Sequence, residues 1–116
     1  NLALHLAGNV RQWITSGLGG KPDIRERDRE FSTRSGLSAA ELTARLREAV
    51  EEAATVIAVL TEEQLTRSYD IQNRHVTGVE AVLAVVEHFG QHTGQIIFAT
   101  KNLTGEDLGL VVPKKH

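Results

Sequence analysis

The chain contains no cysteine and no methionine, two prolines, and only one tryptophan, one tyrosine and three phenylalanines among its 116 residues. Without cysteine, disulfides, thiolate zinc sites and thiol nucleophiles are excluded within the chain. Any metal site must be built from His, Asp or Glu. Neither sign of charge dominates: 13 Lys and Arg stand against 15 Asp and Glu, a formal net charge of −2. That balance argues against a non-specific nucleic-acid partner, which needs a basic stripe, but leaves a small polar ligand open. No apolar run approaches the ~20 residues that span a bilayer, and no signal peptide is visible. A membrane partner is therefore not expected. The lack of cysteine fits a reducing cytosol, so a cytoplasmic location is expected. With no methionine, residue 1 is not an initiator. The opening "NLALHLAGNVRQWI" already reads as the middle of a helix, and further sequence before Asn1 is expected.

What is present is ordinary for one globular domain: 41% hydrophobic and 24% charged residues. Leu2, His5, Leu6, Asn9, Val10, Trp13 and Ile14 recur at spacings of three and four, which predicts a helix from Leu2 to about Ser16. Gly17, Gly19, Gly20 and Pro22 end it. "KPDIRERDREFSTRSG" has no sustained apolar stripe and reads as a long loop with at most one short turn. Ser38 and Glu41 form a capping-box pattern and open a second helix. Its apolar face is Leu42, Leu46, Ala49, Val50, Ala53, Val56, Ile57 and Leu60. "TEEQL", Thr61 to Leu65, allows one further turn, and "RSYDIQNRHVT" a short hairpin around Asn73. A second capping pattern, Thr77 to Glu80, opens the last helix, which runs to about Leu103 with Gly105 as the stop. Three amphipathic helices around one core suggest a bundle, and a four-helix one if a helix precedes Asn1.

The chemistry lies in "EHFGQHTGQII", Glu87 to Ile97. Residues i and i+4 share a helix face, so His88 and His92 can reach one metal ion. Their face also carries Ala81, Ala84, Val85, Gln95, Ile96 and Ala99, which predicts that it points inward. Buried imidazoles need partners. His5, on the apolar side of the first helix, is the natural third ligand. Three neutral imidazoles suit zinc, nickel, iron or copper and leave coordination positions open, as a catalytic metal requires. The competing reading is a pair of hydrogen-bonded core histidines. Asn9, one turn after His5, and Gln95, one turn after His92, could orient ligands or substrate, or make helix–helix hydrogen bonds. In "RERDREF", Arg25, Arg27, Asp28 and Glu30 could line the mouth of the site and bind an anionic cofactor, or form ion pairs on a solvated loop. Trp13 and Phe31 read as core or loop anchors and His75 as an exposed loop histidine. Glu87 points about 100° away from His88 and is not nominated as a ligand.

"LALHLAGNVRQWI", then "RERDREF", then "EHFGQHTGQIIFATK", then a final "VVPKK" resembles, in this order, the DinB-like superfamily of bacterial metal-binding helical bundles, and within it a branch without assigned function. The resemblance implies an all-α four-helix bundle, often dimeric, holding a divalent metal through three histidines. One comes from the family's second helix and two from an HxxxH on its fourth. Carried over, they fall on His5, His88 and His92, the set already reached from periodicity. The family's first helix has no counterpart here, so residues 1–116 are expected to be a single, N-terminally incomplete DinB-like domain. Relatives include S-transferases that use a low-molecular-weight thiol and proposed metal-dependent hydrolases. The resemblance thus implies a metal-dependent enzyme acting on a small molecule, or else a non-catalytic metal-binding or dimeric stress-related scaffold. A homodimer is the expected assembly.

Overall fold

The computed structural model describes residues 2–32 and 36–105; the Phe31 side chain, "VVPKK" and His116 lie outside the described residues. The chain is mostly helical with one small hairpin, in agreement with the all-α expectation. Helix α1, Leu2–Val10, runs directly into a π-helical segment, Arg11–Leu18. A short α2, Arg27–Ser32, interrupts the charged stretch that the sequence leaves as loop. Helix α3 spans Ala39–Ala58 and the single-turn α4 spans Glu62–Thr66. Strands β1, Ser68–Ile71, and β2, Arg74–Thr77, pair antiparallel, with Tyr69 opposite Val76 and Ile71 opposite Arg74. Helix α5, Gly78–Thr104, is the longest element.

The helix starts follow from local chemistry. The Ser38 hydroxyl accepts from the Glu41 N–H, and Thr77 with Glu80 forms the full reciprocal capping box, as does Thr61 with Gln64. Each satisfies backbone N–H groups that the first helical turn leaves without partners. At the far end, Gly105 takes a left-handed conformation, φ 69°, and its N–H bonds the Lys101 carbonyl. The hairpin turns at Gln72 and Asn73, φ 52° and 60°. Positive φ at both central residues is the two-residue turn whose twist matches the flanking strands. The cost of holding a glutamine there is offset by the Trp13 Nε1–H, which donates to Gln72 Oε1 at 3.0 Å.

The core gathers where the π segment meets everything else. Val10, Trp13, Ile14 and Leu18 pack with Ala53 of α3, Ile71 and Val76 of the hairpin, and Ala81 and Val85 of α5. The small Ala49 and Ala53 are the buried residues of α3 and let α1 approach it closely, while Val50 and Ile57 of its expected apolar face are exposed. Helix α5 behaves differently along its length. Ala81 and Val85 are buried, but Gln95, Ile96 and Ala99, expected on the same inward face, are exposed. A row at helical spacing on another side of α5, Val79, Leu83 and Val86, is also exposed.

Candidate metal centre

Two elements bring the three sequence-nominated histidines together. His5 comes from the first turn and a half of α1 and is buried; His88 and His92 sit one turn apart in the middle of α5 and are half-buried. The packing of Val10 and Ile14 against Ala81 and Val85 lays the two helices alongside each other, so the inward side chains beyond that contact must meet. His5 Nε2 lies 3.2 Å from His88 Nε2, and His92 Nε2 lies 2.9 Å from the same atom. Each residue offers a ring nitrogen within 4.8 Å of the others. The rings meet edge to face, with centroids 4.5 to 5.0 Å apart.

Proton placement makes this cluster informative. His5 Nδ1 lies 3.3 Å from Glu30 Oε1. Arg25 Nη2 stands equally near that nitrogen and gives one of its two hydrogens to the carboxylate oxygen at 2.9 Å. A carboxylate accepts only, so in the contact with Glu30 His5 carries its proton on Nδ1 and turns a lone pair inward through Nε2. His92 Nδ1 lies 2.6 Å from Gln95 Oε1, which fixes its proton in the same way. His88 Nε2 faces both inward nitrogens and has one hydrogen at most to give. At least one contact is therefore lone pair against lone pair unless a cation lies among them. A tetrahedral ion with N bonds of ~2.0–2.1 Å spaces its nitrogens about 3.3 Å apart, near what is observed. The residues fit a transition-metal ion.

Burial keeps His5 and His88 neutral. Burial lowers the His5 pKa below the ordinary 6.5, partly opposed by the bond to Glu30. Burial also lowers that of His88, helped by the neighbouring His92 and His5 and by the Arg25 and Arg27 guanidiniums. Both groups therefore present lone pairs, not charges, at neutral pH.

Glu30 and Arg25 are the support. Arg25 grips Glu30 through Nε to Oε2 and Nη2 to Oε1, both 2.9 Å, the bidentate geometry in which a guanidinium pair is strongest. Its Nη1 donates to Gln12 Oε1 at 2.7 Å, and Gln12 Nε2 donates to Asp23. Both side chains of the ion pair are more than nine-tenths buried. The sequence offers them as a site mouth or a solvated pair; folding α2 back over α1 makes them the buried anchor of His5 instead. Gly8 permits it, because a Cβ there would fall on Glu30 Oε2, 2.8 Å from its Cδ. A glycine in mid-helix costs about 1 kcal/mol against alanine and signals close packing; it was the one sequence signal for this contact.

The other nominated residues separate clearly. Gln95 bonds His92, as an orienting residue would. Asn9 lines a cavity of about 230 Å³ beside His5 and His88 and has no side-chain hydrogen bond among the described residues. Arg27 and Asp28 are both exposed, and Arg27 lines the mouth of the same cavity. Trp13 is a core residue. His75 is exposed on β2 and pairs with Asp70 at 2.8 Å. A larger cavity, about 830 Å³, is lined in part by Glu30 and by none of the histidines.

No helix among the described residues is long and apolar enough to cross a membrane. No curated protein and no solved structure matches the chain. His5, Gly8, Glu30, His88 and His92 all fall within residues 2–116, which match the family described as "Protein of unknown function (DUF1572)", and the chain belongs to that family.

Proposed function

We propose that the protein binds a divalent transition metal, zinc, nickel or iron, through His5, His88 and His92, and that it is a DinB-like metal-dependent enzyme acting on a small molecule. The observation that carries the reading is the convergence of three Nε2 atoms at 2.9 and 3.2 Å, with Nδ1 of His5 and of His92 each facing a side-chain oxygen. When bound, such an ion supplies Lewis acidity to an oxygen or sulfur donor of the reactant. The chain's own residues do the rest. Glu30 accepts the His5 Nδ1–H and thereby fixes the ring and raises its basicity. Gln95 does the same for His92. Arg25 holds Glu30 in place. The order of the sequence fragments that resemble the DinB-like superfamily supports the same assignment.

The cavity beside His5 and His88 favours the enzyme, a thiol S-transferase or hydrolase, over a non-catalytic metal-binding scaffold. Among the described residues its lining contains no carboxylate, so no protein base is nominated. That suits a low-molecular-weight thiol as co-substrate more than hydrolysis. The exposed row Val79, Leu83 and Val86 on α5 supports the homodimer, which sedimentation of wild type against Leu83→Asp tests: a monomeric wild type would refute it.

Metal binding is tested by thermal unfolding of stripped protein with added zinc. A ligand at 100 times its Kd stabilises the folded state by about 2.7 kcal/mol, so a rise in Tm of about 10 °C is expected. It should vanish in His92→Ala. An equal rise in that variant would overturn the site.

A further inference from the structure

We propose that the outer side of α5 is a self-association surface on which a second copy of the chain lays its own α5 antiparallel, with Gly90 at the twofold axis. The pairing rests on the homodimer reading above and gives that dimer its face, direction and register.

Val79, Leu83, Val86, Gly90, Gly94 and Ile97 recur along α5 at spacings of three and four, which puts them in one stripe. The stripe runs along the side turned away from the core. Ala81 and Val85 pack in the core, and His88 and His92 face His5. Gly90 lies two residues from both histidines, about 200° around the helix from each, and Leu83 stands in the same relation to Ala81 and Val85. Val79, Leu83 and Val86 are 42%, 61% and 62% exposed. A single exposed aliphatic residue is ordinary, but a row of them at helical period is the seam along which two helices pack lengthwise.

The glycines set the register. Glycine inside a helix is less stable than alanine. Glu30 accounts for Gly8, since it occupies the place of a methyl there. Gly90 and Gly94 are exposed in the middle of α5, and a Cβ added at either meets nothing within 4 Å among the described residues. A second helix accounts for them, because the side chains at a crossing decide how closely two helices approach. With the twofold axis at Gly90, residues equally far before and after it face each other. Leu83 then meets the partner's Ile97, and Val86 meets the partner's Gly94, large against small. Charge sets the direction. Apart from its histidines, the ionisable side chains of α5 are Glu80, Glu87 and Lys101. Antiparallel pairing brings Lys101 beside the partner's Glu80, whose carboxylate is fixed by the Thr77 N–H at 2.9 Å. Parallel pairing would set like charge beside like at all three positions, which is unfavourable. Exposed pairs of this kind add little affinity; they choose between the two directions.

The test combines sedimentation of the full chain, wild type and Gly90→Gln, with distances between spin labels. The chain has no cysteine, so single labels go cleanly onto Gln91→Cys and Asn102→Cys, both at exposed positions. Wild type is expected to be a dimer. Gly90→Gln places a good helix former where a lone chain has room. It is expected to keep its helical circular dichroism and to lose about tenfold or more of the dimer affinity. Labels at Gln91→Cys, next to the axis, should lie roughly 10–20 Å apart. Labels at Asn102→Cys should lie roughly 36 Å apart, twice the rise of twelve residues. A dimer with short distances at both positions is parallel, and one with long distances at both uses another face. Either result overturns the inference and leaves the homodimer standing, as does a dimer that Gly90→Gln leaves intact. A wild type that stays monomeric at every concentration overturns the inference and the homodimer together.

Discussion

Glu30→Ala is expected to destabilise the protein by about 3–5 kcal/mol, the cost of leaving one member of a buried ion pair without the other. Arg25, 4% exposed at its side chain, would keep its charge with no carboxylate to receive it. His5 would lose the acceptor of its Nδ1–H. Since a domain of this size has about 5–15 kcal/mol in total, the variant will sit near the edge of folding. Glu30→Gln keeps the shape and removes only the charge, and it should lose about half as much. Gly8→Ala probes the same contact from the other side. An ordinary mid-helix glycine gains up to about 1 kcal/mol on becoming alanine. Here the new methyl displaces Glu30, and a net loss of about 1–2 kcal/mol is expected. Urea midpoints at unchanged slope measure all three. Losses below about 1 kcal/mol for Glu30→Ala would show that the pair is not a structural anchor.

The second large effect is at Trp13, 3% exposed and part of the core cluster. Trp13→Ala should cost about 3–5 kcal/mol, from lost transfer energy and the cavity left behind. It should also loosen the hairpin, because Gln72 loses the bond that compensates its left-handed backbone. Trp13→Phe keeps most of the apolar volume and loses only the N–H to Gln72 and the better cation face for Arg74. A cost of about 1–1.5 kcal/mol is expected there. Faster amide exchange at Val76 and Thr77 in Trp13→Ala, relative to α3, would locate the damage in the hairpin. A uniform change across the chain would contradict that placement.

Much of this architecture was legible because its causes are local. Ser38, Thr77 and Gly105 mark helix ends by hydrogen-bonding chemistry that needs no tertiary contact, and each lies where the sequence puts it. The histidine set was legible for a related reason: helical period fixes which residues share a face, and His88, His92 and His5 each sit on an apolar one. The π-helical turn at Arg11–Leu18 was not, since the spacing of Trp13, Ile14 and Leu18 suits bonds to the fourth or the fifth residue alike. The Arg25–Glu30 anchor was hidden because charge density reads as solvation until a second element covers it. Burial along α5 was half legible. Its period identifies a face down to Ala99, but which part of that face meets a neighbour depends on where α1 lies.

The most direct measurement is the elemental content of untagged protein purified without added metal, beside a His88→Ala variant. His88 is the imidazole whose Nε2 touches both others, so its removal breaks the cluster at its centre. About one transition-metal ion per chain in the wild type, lost in the variant, is the predicted result. A wild type that holds no metal, and takes up none when zinc is supplied, would contradict the account and leave the three histidines as hydrogen-bonding partners between α1 and α5.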